Sequence, residues 1–231
     1  MFYKGFKLKI LITGGCGYKG SVLVPRLLGL GYEVIVHDTQ WFGSYLKPHK
    51  NLELFKTDIT DTEKINFDQV NAFIHLANVA NDPAVELNPT SSWEINVLAS
   101  QQLVDKAIRQ NVEHIIFASS GSVYGVKEED EVTEDLSLVP ISAYNKTKMV
   151  SERVLYSYKD YLKVHCIRPA TVSEVFHFPA TRSRSIKKKT AAATIAIEIN
   201  QKLIPTVSVV CKLLITLFPF SRIYYLQGSQ N

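Results

Sequence analysis

An apolar run, Leu8 to Ile12, ends in Thr13-Gly14-Gly15-Cys16-Gly17-Tyr18-Lys19-Gly20, and an amphipathic segment from Ser21 to Leu30 follows directly. Glycines spaced three apart between a strand and a helix constrain this chain more than any other feature. Without a Cβ the backbone can turn sharply and let another segment approach closely. A helix that opens on such a turn aims free N–H groups and the positive end of its dipole outward. The ligand that suits this arrangement is a diphosphate, and the turn reads as a nucleotide-binding one.

The residues around the turn alternate between short β-rich runs and longer helical segments. Strands are expected at Lys9–Thr13, Glu33–His37, Leu52–Lys56, Ala72–Leu76, His114–Ala118 and Lys163–Arg168. Helices are expected near Gly17–Leu30, Thr62–Phe67, Thr90–Gln110 and Ala143–Lys159. This order predicts an α/β fold, a doubly wound parallel sheet of the Rossmann type covered on both faces. Pro25 conflicts mildly with the first helix, because an interior proline removes a hydrogen bond.

A second signature lies downstream, in Ser119-Ser120-Gly121-Ser122-Val123-Tyr124-Gly125 followed by Tyr144-Asn145-Lys146-Thr147-Lys148. Tyr144 and Lys148 are four apart in a helical segment and so rise from one face. A lysine ammonium beside a tyrosine hydroxyl favours the phenolate, which is expected to bring Tyr144 down toward the range of a general base. Ser120 stands where it could hydrogen-bond the same reacting oxygen. The alternatives are an exposed Tyr/Lys pair and a serine turn.

With these motifs in order, the chain resembles the extended short-chain dehydrogenase/reductase superfamily, and within it the NAD-dependent epimerase/dehydratase family. The resemblance rests on Gly14-x-x-Gly17-x-x-Gly20, Asp38, Asp58-Ile59, His75-Leu76-Ala77, Asn96-Val97, Ser120, Tyr144-x-x-x-Lys148 and Arg168-Pro169, and covers residues 7 to 172. It implies catalytic roles for Ser120, Tyr144 and Lys148. It implies cofactor contacts from Gly14, Gly17, Tyr18, Gly20, Asp38, Asp58, Ile59, Leu76, Ala77, Asn78, Asn96, Tyr144 and Lys148. Asp58 and Ile59 would flank the adenine, Ala77 and Asn78 would pass under the nicotinamide ribose, and Asn96 would support the loop beside it. On the residues alone, Asp58 reads as a turn residue, Asn96 as a polar helix position and His75 as a core histidine.

Asp38 bears on the cofactor. A carboxylate at the end of the second strand accepts from both ribose hydroxyls and repels a 2′-phosphate, so NAD is expected rather than NADP. Its competing role is a turn cap before Trp41-Phe42-Gly43. The chemistry implied is reversible hydride transfer at a sugar carbinol with Tyr144 as base, in a nucleotide-sugar epimerase of the UDP-glucose 4-epimerase kind. The family's 4,6-dehydratases carry an Asp-Glu pair after the serine. Gly121 and Ser122 stand there instead, which points away from dehydration. The alternatives are an NAD-dependent nucleotide-sugar dehydrogenase or reductase, and an inactive NAD-binding module. Relatives that pair through two long helices suggest a homodimer.

Composition narrows the remaining classes. At 231 residues with 46% hydrophobic and 21% charged content, the chain is ordinary for a globular protein with a sizeable core. A net charge of +4 does not call for nucleic acid. Cys16, Cys166 and Cys211 are far apart, without metal-ligand spacing, and fit a reducing cytoplasm. Residues Met1 to Lys9 lead into a strand and do not read as a signal peptide. Pro205, Lys212 and Pro219 interrupt the apolar run Leu203 to Phe220, so no membrane helix is expected there.

The domain reading is an NAD-binding Rossmann domain over residues 1–172 and an atypical tail over 173–231, standing where the family's small substrate domain would be. The motif pattern ends abruptly at Val172, ahead of Arg182-Ser183-Arg184-Ser185-Ile186-Lys187-Lys188-Lys189. A frameshift or fusion would produce such a join. A divergent tail with a helix at Thr190–Leu203 and a solvated lysine run is the rival. A basic peptide for nucleic acid or acidic membrane is a third reading.

Overall fold

A computed structural model of the chain describes residues 8–129 and 132–169. The tail readings, including Thr190–Leu203 and Leu203–Phe220, lie outside the described residues. Six strands, β1 (Lys9–Thr13), β2 (Glu33–Asp38), β3 (Leu52–Lys56), β4 (Ala72–His75), β5 (His114–Ala118) and β6 (Lys163–Ile167), form one sheet. All pairings are parallel, in the order β3-β2-β1-β4-β5-β6. Each expected strand is present to within one residue.

Strand alternation divides the core between two faces. Ile10 and Ile12 of β1 and Val34 and Val36 of β2 meet Leu23, Val24 and Leu27 of α1 (Tyr18–Gly29). The intervening Leu11 and Ile35, with Phe73, Ile115 and Phe117, point the other way. There they meet Leu103, Val104 and Ala107 of α4 (Ser100–Arg109) and Leu155 of α5 (Ala143–Tyr156). Strands buried on both faces read as continuous apolar runs, which is why the central ones were legible. β3 closes one edge with residues 53–56 exposed.

The helices depart from expectation for local reasons. Pro25 does not break α1, because it lies on the exposed side where the carbonyl it frees can meet water. The Thr62–Phe67 segment makes only a single 3₁₀ turn, Thr62–Lys64. Asn66 Oδ1 accepts from the Asp68 N–H at 2.9 Å and Gln69 takes a positive φ of 58°, so a side-chain turn displaces the helix.

Thr90–Gln110 is a composite of α3 (Pro89–Trp93), a π-helical turn at Glu94–Ala99, and α4. The unexpected α2 (Asp82–Leu87) precedes it. Asn81 and Asn88 cap α2 and α3 through their side chains, and each helix has a proline in its first turn. That twin Asn-to-Pro pattern was the available signal.

Candidate active site

Where the strand order reverses at β1, the ends of β1, β2, β4 and β5 open on a cavity of about 400 Å³. A crevice at such a switch point is the ligand position of open α/β sheets. Gly14, Gly17 and Tyr18 line it from the first turn, and Asp38 from the end of β2. Asp58 and Ile59 follow β3, Leu76, Ala77 and Asn78 follow β4, and Tyr144 and Lys148 come from α5.

In the first turn, Gly14 and Gly20 are required by close approach of backbone. Gly14 has a φ of +76°, and a Cβ there would sit 2.5 Å from the Ala77 nitrogen. A Cβ on Gly20 would sit 2.3 Å from the Gly15 carbonyl oxygen. Gly20 therefore packs the helix against the turn and does not line the cavity.

Asp38 combines both roles weighed for it. Its carboxylate accepts from the Cys16 N–H at 2.9 Å and from the Gln40 N–H at 2.7 Å, tying the glycine turn to the end of β2 while lining the cavity. Asp58 likewise caps its own turn, accepting from the Thr60 N–H and hydroxyl at 2.9 and 2.8 Å.

Asn96 does not line the cavity. Its amide accepts from the Val79 N–H at 2.8 Å and donates to the Val79 carbonyl at 3.2 Å, fixing the loop that carries Ala77 and Asn78. It also donates to Thr147 Oγ1 at 3.1 Å, linking that loop to α5. The Asn96 carbonyl accepts from Ser100 Oγ and Ser151 Oγ, both at 2.7 Å, within the π-helical turn.

Because Ser100 donates to Asn96, it accepts from His75 Nε2 at 2.8 Å, and His75 Nδ1 then accepts from the Thr13 hydroxyl at 2.6 Å. Both ring nitrogens are satisfied, and burial lowers His75 to about 3. It is a core histidine.

The Tyr144/Lys148 pair shares one wall, with Lys148 Nζ 6.0 Å from the tyrosine ring centroid. Lys148 is fully buried, donates to the Ala118 carbonyl at 2.6 Å and lies 4.7 Å from the centre of the Phe117 ring. With its amide turned to suit its neighbours, Asn78 accepts from Lys148 at 3.3 Å. Burial, and then the like charge of Lys19, brings Lys148 down to about 7.

The expected lowering of Tyr144 is not what this structure gives. Burial, and then the Asp82 carboxylate, pushes the phenol up to about 12. Desolvation of the phenolate outweighs a partner ammonium that is itself weakened by burial.

Ser120 is not among the residues that line the cavity. Its hydroxyl lies 2.7 Å from Ser122 Oγ and accepts from the Ser122 N–H at 3.2 Å, and Ser122 donates to Asn145 Oδ1 at 2.5 Å. The serine that lines the cavity is Ser119, whose buried hydroxyl has no hydrogen-bond partner among the described residues. Sequence reasoning also missed Lys19, Trp41 and Phe42 as cavity residues. Exposed aromatics after β2 were a visible signal, whereas Lys19 was hidden inside the glycine motif.

The supporting frame is a buried ion pair. Arg168, at the end of β6, donates to both Glu152 carboxylate oxygens, at 2.7 to 3.1 Å, and to the Tyr124 hydroxyl at 2.7 Å. One side chain thus joins the serine loop, α5 and the last strand.

Comparison with known proteins matches residues 10–204 to the model of the NAD dependent epimerase/dehydratase family. A putative UDP-glucose 4-epimerase of Methanocaldococcus jannaschii is 35% identical over 153 residues, 64% of this chain and 50% of that protein. Among solved structures, a UDP-N-acetylglucosamine 4-epimerase from Methanobrevibacter ruminantium, in complex with UDP-N-acetylmuramic acid, superposes with a TM-score of 0.66 at 28% identity. That match covers 76% of this chain and 60% of the other. The Thermus thermophilus UDP-glucose 4-epimerase in complex with NAD gives 0.64 at 30% identity, over 70% and 54%. The chain spans about half the length of the curated relatives it matches.

Proposed function

Because the chain belongs to the NAD dependent epimerase/dehydratase family, we propose that it binds NAD in this cavity and epimerises a nucleotide-sugar, as a UDP-glucose 4-epimerase-like enzyme. The observation that carries the reading is the convergence of Tyr144 and Lys148 on the same cavity as the Gly14 turn and Asp38. The cradle suits the cofactor. Gly14 lets the turn pack directly against the Ala77 backbone at the cavity wall, and Asp38 presents a carboxylate where a ribose diol would be held.

NAD, when bound, supplies a hydride acceptor for a carbinol carbon. Tyr144 Oη takes the hydroxyl proton as the C–H bond breaks and returns it when the carbonyl is reduced on its other face. Lys148, held by Ala118 and Asn78, stabilises the phenolate in its ammonium form. Burial, which disfavours each charge, is what holds Tyr144 near 12 and Lys148 near 7. Ser120, or Ser119 beside it, orients the reacting oxygen. Gly121 and Ser122 offer no carboxylate for water elimination, which supports epimerisation over dehydration. Pairing of two copies through α4 and α5 belongs to the same reading and is checked by light scattering.

Incubation of the full chain with NAD and UDP-glucose tests the proposal. An epimerase forms UDP-galactose without accumulating NADH. Stoichiometric NADH would identify a dehydrogenase, and absence of both products across UDP-, GDP- and dTDP-sugars would sink the enzymatic reading.

A further inference from the structure

Lys19 is the second residue of α1, directly after Gly17 and Tyr18. A cation there opposes the helix dipole, and the first turn contains no acidic residue to offset it. Gly17, at the N-cap, supplies no side-chain cap to the free N–H groups. Helical side chains lean toward the N-terminus, so the stem of Lys19 runs back over the glycine turn and lines the cavity.

Its ammonium has no hydrogen bond or ion pair among the described residues. Burial lowers it to about 8, and its charge also depresses the fully buried Lys148. A half-buried and a fully buried cation beside a positive helix end disfavour one another. An anion between them reverses the sign of all three interactions.

The cavity is lined by two carboxylates and two ammonium groups. Asp38 and Asp58 follow β2 and β3 on one side of β1 and repel phosphate, Lys148 comes from α5, after β5 on the other side, and Lys19 stands on the helix that follows β1 itself. The glycine turn lies between Asp38 and Tyr144. A dinucleotide laid along it would have its sugar hydroxyls at Asp38 and its diphosphate beside Lys19.

We propose that the Lys19 side chain is a second anchor for the dinucleotide's diphosphate, adding a mobile ammonium to the fixed backbone N–H groups of the turn. This rests on the reading of the cavity as an NAD site.

The test is titration of the full-length chain, and of Lys19→Met and Lys19→Arg, with NAD, ADP, UDP and adenosine. Lys19→Met is expected to weaken NAD and ADP by at least about tenfold, the worth of a charge-assisted hydrogen bond, and to leave adenosine unchanged. Lys19→Arg should recover most of the loss, and the wild type should show the steeper decline with added salt. Equal NAD and ADP affinity in wild type and Lys19→Met overturns the proposal while leaving the NAD reading intact. A loss confined to UDP also overturns it, since the anion would then belong to the nucleotide-sugar. Failure of the wild type to bind NAD or ADP overturns both together. A parallel loss for adenosine would show damage to the whole cleft and contradict a diphosphate-specific role.

Discussion

Gly14 carries two separate demands, a left-handed backbone and a 2.5 Å approach of the Ala77 nitrogen to the space of a Cβ. Gly14→Ala is expected to cost more than about 1–3 kcal/mol, the scale of one strained backbone residue, since the clash adds to the strain. Thermal unfolding checks this, and NAD affinity should fall with it. Ser119 makes the opposite prediction. Its hydroxyl is buried without a partner among the described residues, so Ser119→Ala should leave stability unchanged or raise it by up to about 1 kcal/mol. A fall in NAD affinity in that variant would place the hydroxyl on the ligand. The motif spacing points to Ser120, and the structure adds Ser119 as a serine that lines the cavity. Ser122 bonds to Ser120 and to Asn145, which holds Ser120 on its own turn. Tyr144 shows the limit of spacing, because adjacency to lysine was legible whereas the depth of burial that pushes it up to about 12 was not.

The elements that matter most are tied by side chains from outside themselves. Arg168 links β6, α5 and the serine loop through Glu152 and Tyr124, all three buried. Arg168→Met should destabilise the fold by about 3–5 kcal/mol by leaving Glu152 charged and unpaired, and Glu152→Gln by less, because its amide still accepts a hydrogen bond. Chemical denaturation of both variants reads the difference. Strand positions were legible because parallel strands buried on both faces leave an apolar run that few other structures produce. The middle helices were less so. The π-helical turn at Glu94–Ala99 depends on Ser100 and Ser151 meeting the Asn96 carbonyl, and Ser151 lies 55 residues away. No local pattern could report it.

Across the described fold, four buried histidines make stability depend on acid. Burial holds His75 near 3 and His37, His114 and His165 near 4, below the ordinary value of 6.5. Lowered native values mean that the unfolded chain takes up protons first as pH falls. Their contribution is therefore full above about 6.5 and is lost progressively down to about 4, and to about 3 for His75, at up to about 1.4 kcal/mol per pH unit for each histidine. Melting temperatures measured from pH 7 to 4 should fall steeply, and a flat profile would contradict the burial. The alternation of β-rich and helical runs made the fold class recoverable from sequence, and the cavity is assembled where the sheet order reverses. The most direct test of the function assigned to it is product analysis of the full chain with NAD and UDP-glucose, beside Tyr144→Phe. UDP-galactose formed by the wild type, and reduced by at least about a hundredfold in the variant, is the predicted result. Equal epimer formation by both would contradict the assignment of Tyr144 as the base.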